Sequence, residues 1–278
     1  MRLAMLACEQ SWQYAFASRL AKSHELALVV VDQHFSTFSR ARRFARMLKD
    51  PRASFHKVVD KVAVRSLEKR DNAIYASYFE SIGAPPFEES ARRVLYAQEI
   101  NSQDVARQVE LTKPDAILIS GTRLIRPPVL QCRSRFGMIN MHTGLSPYYR
   151  GGPCTFWTLY NEEPEYAGVT IHYITTGIDS GDIILSGRPN LDASDGVASL
   201  DSKVIEMGHG LMLRALELME RGRAPRVSNW ETGKLFLYKQ FTAQVRTELE
   251  EKLRNGLMER CIERLAQEPP AILTIDAE

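Results

Sequence analysis

Paired cysteines are missing from this chain. Its four, Cys8, Cys132, Cys154 and Cys261, are scattered through 278 residues with no C-x-x-C pair and no metal-like spacing. That argues against a disulfide framework or a structural zinc site. The six histidines form neither H-x-x-x-H nor H-E-x-x-H, so metal-dependent chemistry has no ligand pattern behind it. No charge of one sign prevails either: the formal net charge is +2, which gives no general basic field for nucleic acid. Arg40-Ala-Arg-Arg-Phe-Ala-Arg46 is the one dense basic run, and it reads as a solvated helix face rather than an RNA patch. Long apolar runs are absent too. Met1 to Cys8 is too short for a signal peptide or membrane span and is followed by Glu9-Gln10, so a cytoplasmic protein without a membrane partner is expected. Repeats and low-complexity segments are lacking. The turn after the first apolar run, Ala7-Cys-Glu-Gln-Ser-Trp12, has no glycine, and without it the backbone cannot approach a phosphate closely. Neither a dinucleotide fingerprint nor a P-loop is present there.

What is present is an ordinary globular balance, 44% hydrophobic and 25% charged, in a chain long enough to bury a full core. Short apolar runs alternate with longer amphipathic ones. That is the pattern of an α/β fold, a Rossmann-like, mostly parallel sheet with flanking helices. Strands are expected at Arg2 to Cys8, Leu26 to Asp32, Asp115 to Ser120, Met138 to His142 and Val169 to Tyr173. Helices are expected at Ser11 to Lys22, Ser102 to Leu111 and Cys154 to Tyr160. A long charged stretch at about 36–82 reads as a helical insertion. Ser194 or Asp195 can cap a helix running toward Arg221, with Gly222 as its stop. Thr242 to Leu265 reads as a C-terminal helix pair, an amphipathic surface able to join a second copy in a homodimer. The domain reading is residues 1–222 as the catalytic unit and 223–278 as a smaller, mostly helical extension; the function is placed outside Thr242 to Leu265, while the acceptor's identity depends on the insertion and on the tail after Gly222.

Chemistry gathers at Asn140-Met-His-Thr-Gly-Leu-Ser-Pro-Tyr-Tyr-Arg-Gly-Gly152. Residues two apart in a strand share a face, so Asn140 and His142 project together at the end of Met138 to His142. Open α/β sheets put their sites at such strand ends. Asn140 can donate to an oxygen that turns negative, and His142 can carry a proton near neutral pH. Asp179 lies between glycines in Thr176-Gly-Ile-Asp-Ser-Gly-Asp182, on a loop able to return to the sheet edge, where a carboxylate orients and charges an imidazole. Taken singly, each residue reads more readily as a turn or core residue. With no Ser or Cys nucleophile beside them, the three together suggest direct acyl transfer.

Asn140-x-His142-x-Gly-Leu-Ser-Pro147-x-Tyr-Arg150-Gly151, then Gly168-Val-Thr-Ile-His172, then Asp179-Ser-Gly181-Asp-Ile183 resembles the 10-formyltetrahydrofolate-dependent formyltransferases. The likeness is close over about residues 110 to 185. It implies that Asn140, His142 and Asp179 are catalytic, with 10-formyltetrahydrofolate as co-substrate and a small-molecule amine as acceptor. Ser120-Gly-Thr-Arg-Leu-Ile-Arg-Pro-Pro128 resembles the family's pterin loop, which implies Arg123, Leu124, Ile125 and Arg126 on one wall of the folate pocket. Gly177, Ile178 and Asp179 would form the other wall, and His172 is expected to be supporting. The family's glycinamide ribonucleotide enzymes carry a glycine-containing phosphate loop that Cys8 to Trp12 lacks. Its methionyl-tRNA enzymes continue into a basic β-barrel, whereas the residues after Arg221 read as helical and mixed in charge. Hydrolytic relatives begin with a regulatory ACT domain, and nothing here corresponds. The wording around Gly144 to Arg150 is similar to members that formylate nucleotide-linked amino sugars. Tyr148, Tyr149 and Trp157 are candidates to stack on a sugar or base, although packing is the commoner use of Trp, and Arg150 to pair with a diphosphate or to brace the loop through a carboxylate. A methionyl-tRNA enzyme, a formyltetrahydrofolate hydrolase and a non-catalytic folate-binding scaffold stay open as alternatives.

Overall fold

The computed structural model describes residues 1–33, 69–71 and 73–276. Nine strands are described: β1 (Arg2–Ala7), β2 (Glu25–Asp32), β3 (Val94–Ala97), β4 (Ala116–Ser120), β5 (Met138–His142), β6 (Tyr149–Gly151), β7 (Val169–Tyr173), β8 (Ile183–Gly187) and β9 (Lys234–Phe236). The principal helices are α1 (Ser11–Ala21), α2 (Gln103–Leu111), α3 (Cys154–Tyr160), α4 (Val197–Glu220), α5 (Ala243–Arg254) and α6 (Leu257–Gln267). Of the expected helical insertion, residues 69–71 and 73–80 are helical. The remainder up to residue 68, including Arg40 to Arg46, lies outside the described residues.

Seven strands form one sheet in the order β3-β2-β1-β4-β5-β7-β8. β3 through β5 are parallel, and β7 and β8 run antiparallel to their neighbours. The central strands are apolar at nearly every position because both faces are covered. Leu3, Met5 and Ala7 of β1 join the core with Phe16 of α1 and with α4, while Ala4 and Leu6 join Val105 and Val109 of α2 on the other face. The chain leaves β1 toward β2 and β3 on one side and returns to β4 and β5 on the other. This reversal opens a crevice beyond the carboxyl ends of β1 and β4.

Two local readings change. α4 starts after Gly196, not after a Ser194 or Asp195 cap: the Gly196 N–H donates to Ser199 Oγ at 2.9 Å, while Asp195 is drawn aside by Lys203 at 2.8 Å. Its stop is as expected, with Gly222 at φ +65°. Four short strands, β3, β6, β8 and β9, had not been anticipated. β6 and β9 are three residues each and pair only with one another, parallel, with Tyr149 opposite Lys234 and Gly151 opposite Phe236. A pairing between such distant segments leaves no local periodicity to read. The C-terminal helix pair is present, and Leu249, Leu257, Met258 and Cys261 enter the same core as α1 and α4. Among the described residues no helix is long and apolar enough to cross a membrane.

Candidate active site

Strands β5 and β7 bring the polar cluster together. Their antiparallel register sets Asn140 opposite His172 and His142 opposite Thr170. His172 Nδ1 lies 2.8 Å from the Tyr173 carbonyl, which can only accept, so that nitrogen carries the proton in a neutral ring. Nε2 is then left to accept from Asn140 Nδ2, 3.1 Å away. The same Asn140 amide donates to Asp179 Oδ1 at 3.3 Å. His172, expected only to support, thus orients the Asn140 amide.

His142 is 6% exposed. Its Nδ1 stands 3.5 Å from Asp179 Oδ2, and its Nε2 stands 3.2 Å from the Tyr149 carbonyl and 3.7 Å from Cys154 Sγ. Both ring nitrogens therefore face oxygen acceptors, and a neutral ring can satisfy only one of them. Burial nonetheless pushes the imidazole below its ordinary pKa, and the Asp179 carboxylate pulls it back only in part. The ring is thus neutral near pH 7, with a place prepared for a second proton. Gly144 makes room for it, because a Cβ there would collide with His142 Nε2.

Asp179 sits at φ +44°, a conformation Asp tolerates better than most residues. Burial alone would raise its carboxyl, but the imidazole of His142 and the Gly151 N–H, which donates to Oδ2 at 3.0 Å, hold it well below the usual carboxylate range. The pull attributed to His142 conflicts with a neutral ring there. Ionised Asp179 is the direction that stands, since the Gly151 N–H and the Asn140 amide reach it whatever the charge on His142. Gly151 is itself placed by the β6 and β9 pairing. At φ +87°, it passes so close to the Phe236 carbonyl that a Cβ would strike it.

The cluster faces a cleft of about 1070 Å³ at the crevice of the sheet. Arg123, Leu124, Ile125, Gly177 and Ile178 line it together with Asn140, His142 and Asp179. Leu124 is apolar yet 46% exposed, so an apolar side chain stands free beside the cluster. Arg123 does not offer its guanidinium to the cleft: Nη2 bonds Asp32 Oδ1 at 2.8 Å and the Gln98 carbonyl at 3.0 Å. Together with the Arg123 N–H on Asp32 Oδ2, that pair braces the loop from the end of β2. Arg126 lies outside the lining, with its N–H on Asn101 Oδ1 at 2.7 Å. Among the described residues no group of His, Cys, Asp or Glu is arranged to hold a metal ion.

The four expected substrate contacts are placed elsewhere, and here the sequence reading is corrected. Tyr149 is 1% exposed, donates to Glu163 and accepts from Asn161 at 2.8 Å. Tyr148 packs edge-on against Tyr166 and Trp230 and accepts the Leu273 N–H at 3.0 Å. Trp157 is stacked on Phe236 at 4.6 Å. Arg150 and these three aromatics are all absent from the cleft wall, because pairing with β9 and packing under α3 turn β6 inward. The wall is instead completed by residues the sequence reading passed over: Trp12, Tyr75, Asp201, Tyr238 and Arg246. Asp201 is half-buried, accepts from Thr155 Oγ1 at 2.6 Å and Tyr75 at 2.7 Å, and has its carboxyl raised by burial. Tyr238 and Arg246 come from the C-terminal segment, and Arg246 lies in the helix pair expected to have no part in function.

A family model described as formyl transferase matches residues 35–216. The methionyl-tRNA formyltransferase of Desulforamulus reducens is 32% identical over 134 residues, covering 48% of this chain and 42% of that protein. The chain spans about half the length of the curated relatives it matches. Among solved structures, a sugar N-formyltransferase from Shewanella sp FDAARGOS_354 superposes with a TM-score of 0.56 at 13% identity, covering 87% of this chain and 78% of that one. An N-formyltransferase from Helicobacter canadensis, solved with folinic acid and dTDP-3-aminofucose, gives 0.52 at 16% identity over 86% and 72%. At such identities the likeness is one of fold.

Proposed function

Because this chain belongs to the formyl transferase family, we propose that it moves a formyl group from 10-formyltetrahydrofolate to a primary amine, that of a nucleotide-linked amino sugar. The observation that carries this reading is the ionised Asp179 held against His142 and Asn140 in the wall of a cleft large enough for a folate and an acceptor. The apolar side chains of Leu124, Ile125 and Ile178 beside that cluster fit a flat pterin ring. Bound 10-formyltetrahydrofolate would supply the electrophilic formyl carbon. The acceptor nitrogen bonds to that carbon and leaves its oxygen negative; the bond from the carbon to the folate nitrogen then breaks, and one proton passes from the acceptor nitrogen to the folate nitrogen.

His142 moves that proton. Resting neutral, it takes the proton the attacking amine must shed, shares the added charge with Asp179, and returns it to the departing nitrogen. Asn140 stabilises the oxygen that becomes negative. Its 3.3 Å bond to Asp179 is the longer of its two and is the one an oxyanion can compete for, while His172 keeps the amide aimed.

A second reading is favoured by one observation: the relatives at 32% identity are methionyl-tRNA formyltransferases. Folate consumption measured against nucleotide-linked 3- and 4-amino sugars, glycinamide ribonucleotide, methionyl-tRNA and buffer alone separates them. Amine-dependent turnover with one amino sugar is the expected result. Turnover with methionyl-tRNA alone would transfer the protein to the second reading, and consumption indifferent to amines would make it a hydrolase.

A further inference from the structure

Tyr238 differs from every other aromatic at the cleft. It is 72% exposed, the most exposed large hydrophobic side chain among the described residues, yet it lines the cleft with His142 and Asp179. Its hydroxyl makes no hydrogen bond among the described residues. The ring is nevertheless held in register with the catalytic cluster. The Gly152 N–H donates to the Phe236 carbonyl at 3.1 Å, and the turn Tyr238–Gln240 follows directly from β9. A Cβ on Gly152 would lie 3.3 Å from the Tyr238 hydroxyl and 3.4 Å from its ring, so the ring rests close over the backbone there. The neighbouring residue, Gly151, gives its N–H to Asp179. One strand pairing thus sets both the catalytic carboxylate and an unsatisfied aromatic ring.

Polar residues follow Tyr238 in the same segment and share its cleft. Phe241 closes the turn through its N–H on the Tyr238 carbonyl at 3.2 Å. Arg246 lies over Phe241 at 5.1 Å and bonds Asp71 at 3.2 Å. Arg70 joins Asp71 to Glu250. Asp71, Arg246 and Glu250 all line the cleft, and carboxylates in ion pairs keep lone pairs free for hydroxyl donors. An exposed ring face in the same cleft as such acceptors suits a ligand with C–H bonds on one face and hydroxyls around its rim, which is a sugar ring. A thioether or plain alkyl side chain would leave those acceptors unused.

We propose that Tyr238 is the platform on which the ring of the amino-sugar acceptor lies, presenting its amine toward His142; this rests on the formyl-transfer reading above. The test uses the full chain and its Tyr238→Ala and Tyr238→Phe variants. Initial rates are taken with the amino sugar that supports turnover, and calorimetric titration of that sugar, or of the unreactive panel members, is run in parallel. Because the Tyr238 side chain is exposed and its hydroxyl makes no hydrogen bond among the described residues, both variants should melt with the wild type. Tyr238→Ala should raise the acceptor KM about 10-fold or more, in line with the loss of a stacking contact of ~1.5 kcal/mol. Its KM for 10-formyltetrahydrofolate should stay within about twofold, and Tyr238→Phe should recover most of the affinity. An acceptor KM unmoved in Tyr238→Ala, or equal losses for acceptor and folate, overturns the platform while leaving formyl transfer intact. If no amine is formylated, the transfer reading fails instead. Calorimetry then decides alone: sugar binding that depends on Tyr238 upholds the platform, and binding that is absent or indifferent to Tyr238 ends it.

Discussion

At the scale of residues, the proposed chemistry turns on the tension between burial and charge at His142 and Asp179. Burial lowers the imidazole and the carboxylate opposes it, so activity that needs a neutral His142 should rise with pH through a value below the ordinary ~6.5 of histidine. Asp179→Asn removes the opposing charge. The acid limb of the pH–rate profile should move to still lower pH while kcat falls, by about 10²-fold or more if orientation and charge of the imidazole both matter. A kcat profile measured from pH 4 to 9 checks this, and an unmoved limb would mean that another group titrates. Asn140 and His142 were readable from strand alternation, and Asp179 from its glycine-flanked loop. The Gly151 N–H was not, since a backbone donor has no residue-type signature. The role of His172 became visible only when the register set it opposite Asn140.

Among the elements, the smallest pairing has the largest functional reach. β6 and β9 place Gly151 against Asp179 and carry Tyr238 and Leu237 to the cleft. Gly233 lies so close to the carbonyl of Pro147 that a Cβ would overlap it, and backbone cannot yield as a flexible side chain can. Gly233→Ala should therefore push β9 away from β6. Activity should fall at least about 10-fold, while the melting temperature drops by less than for a core truncation, because the seven-stranded sheet is untouched. Paired activity and melting measurements test this; a fully active Gly233→Ala would show that the pairing is not needed. The long, buried strands and the capped α2 were legible because their periodicity is local. Three-residue strands have too few positions for any pattern, and Tyr149 and Trp157 looked available for substrate only because their burial under β9 and α3 depends on the fold.

For the molecule as a whole, α5 and α6 share the core of α1 and α4 through Leu249, Leu257 and Met258, so heat should unfold the chain in a single transition. Two transitions by calorimetry would divide it after all. Acid should weaken it in a way traceable to His209. That ring is fully buried and stacked on Phe16 at 4.8 Å, and neither nitrogen has a partner among the described residues. Burial, with Arg19 adding repulsion, pushes it down to about 3. The unfolded chain binds this proton near 6.5 and the folded chain only near 3, so the stability from a neutral His209 is complete above 6.5 and declines as pH falls between those values. By pH 5 the loss is about 2 kcal/mol. His209→Leu should flatten the fall in stability between pH 7 and pH 5 without lowering stability at pH 7, since it also removes two unbonded polar atoms. Denaturant titrations at the two pH values decide it.

By itself the sequence determined the alternation of buried strands and amphipathic helices, the strand end where Asn140 and His142 emerge together, and the glycine-flanked Asp179. Each follows from the identity and spacing of neighbouring residues. Only the tertiary structure decided which aromatic reaches the cleft, which backbone N–H holds the carboxylate, and that the C-terminal segment is part of the wall. Those depend on contacts such as Gly151 with Phe236, where segments remote in sequence meet and the closeness of two backbones, not the character of a side chain, sets the geometry.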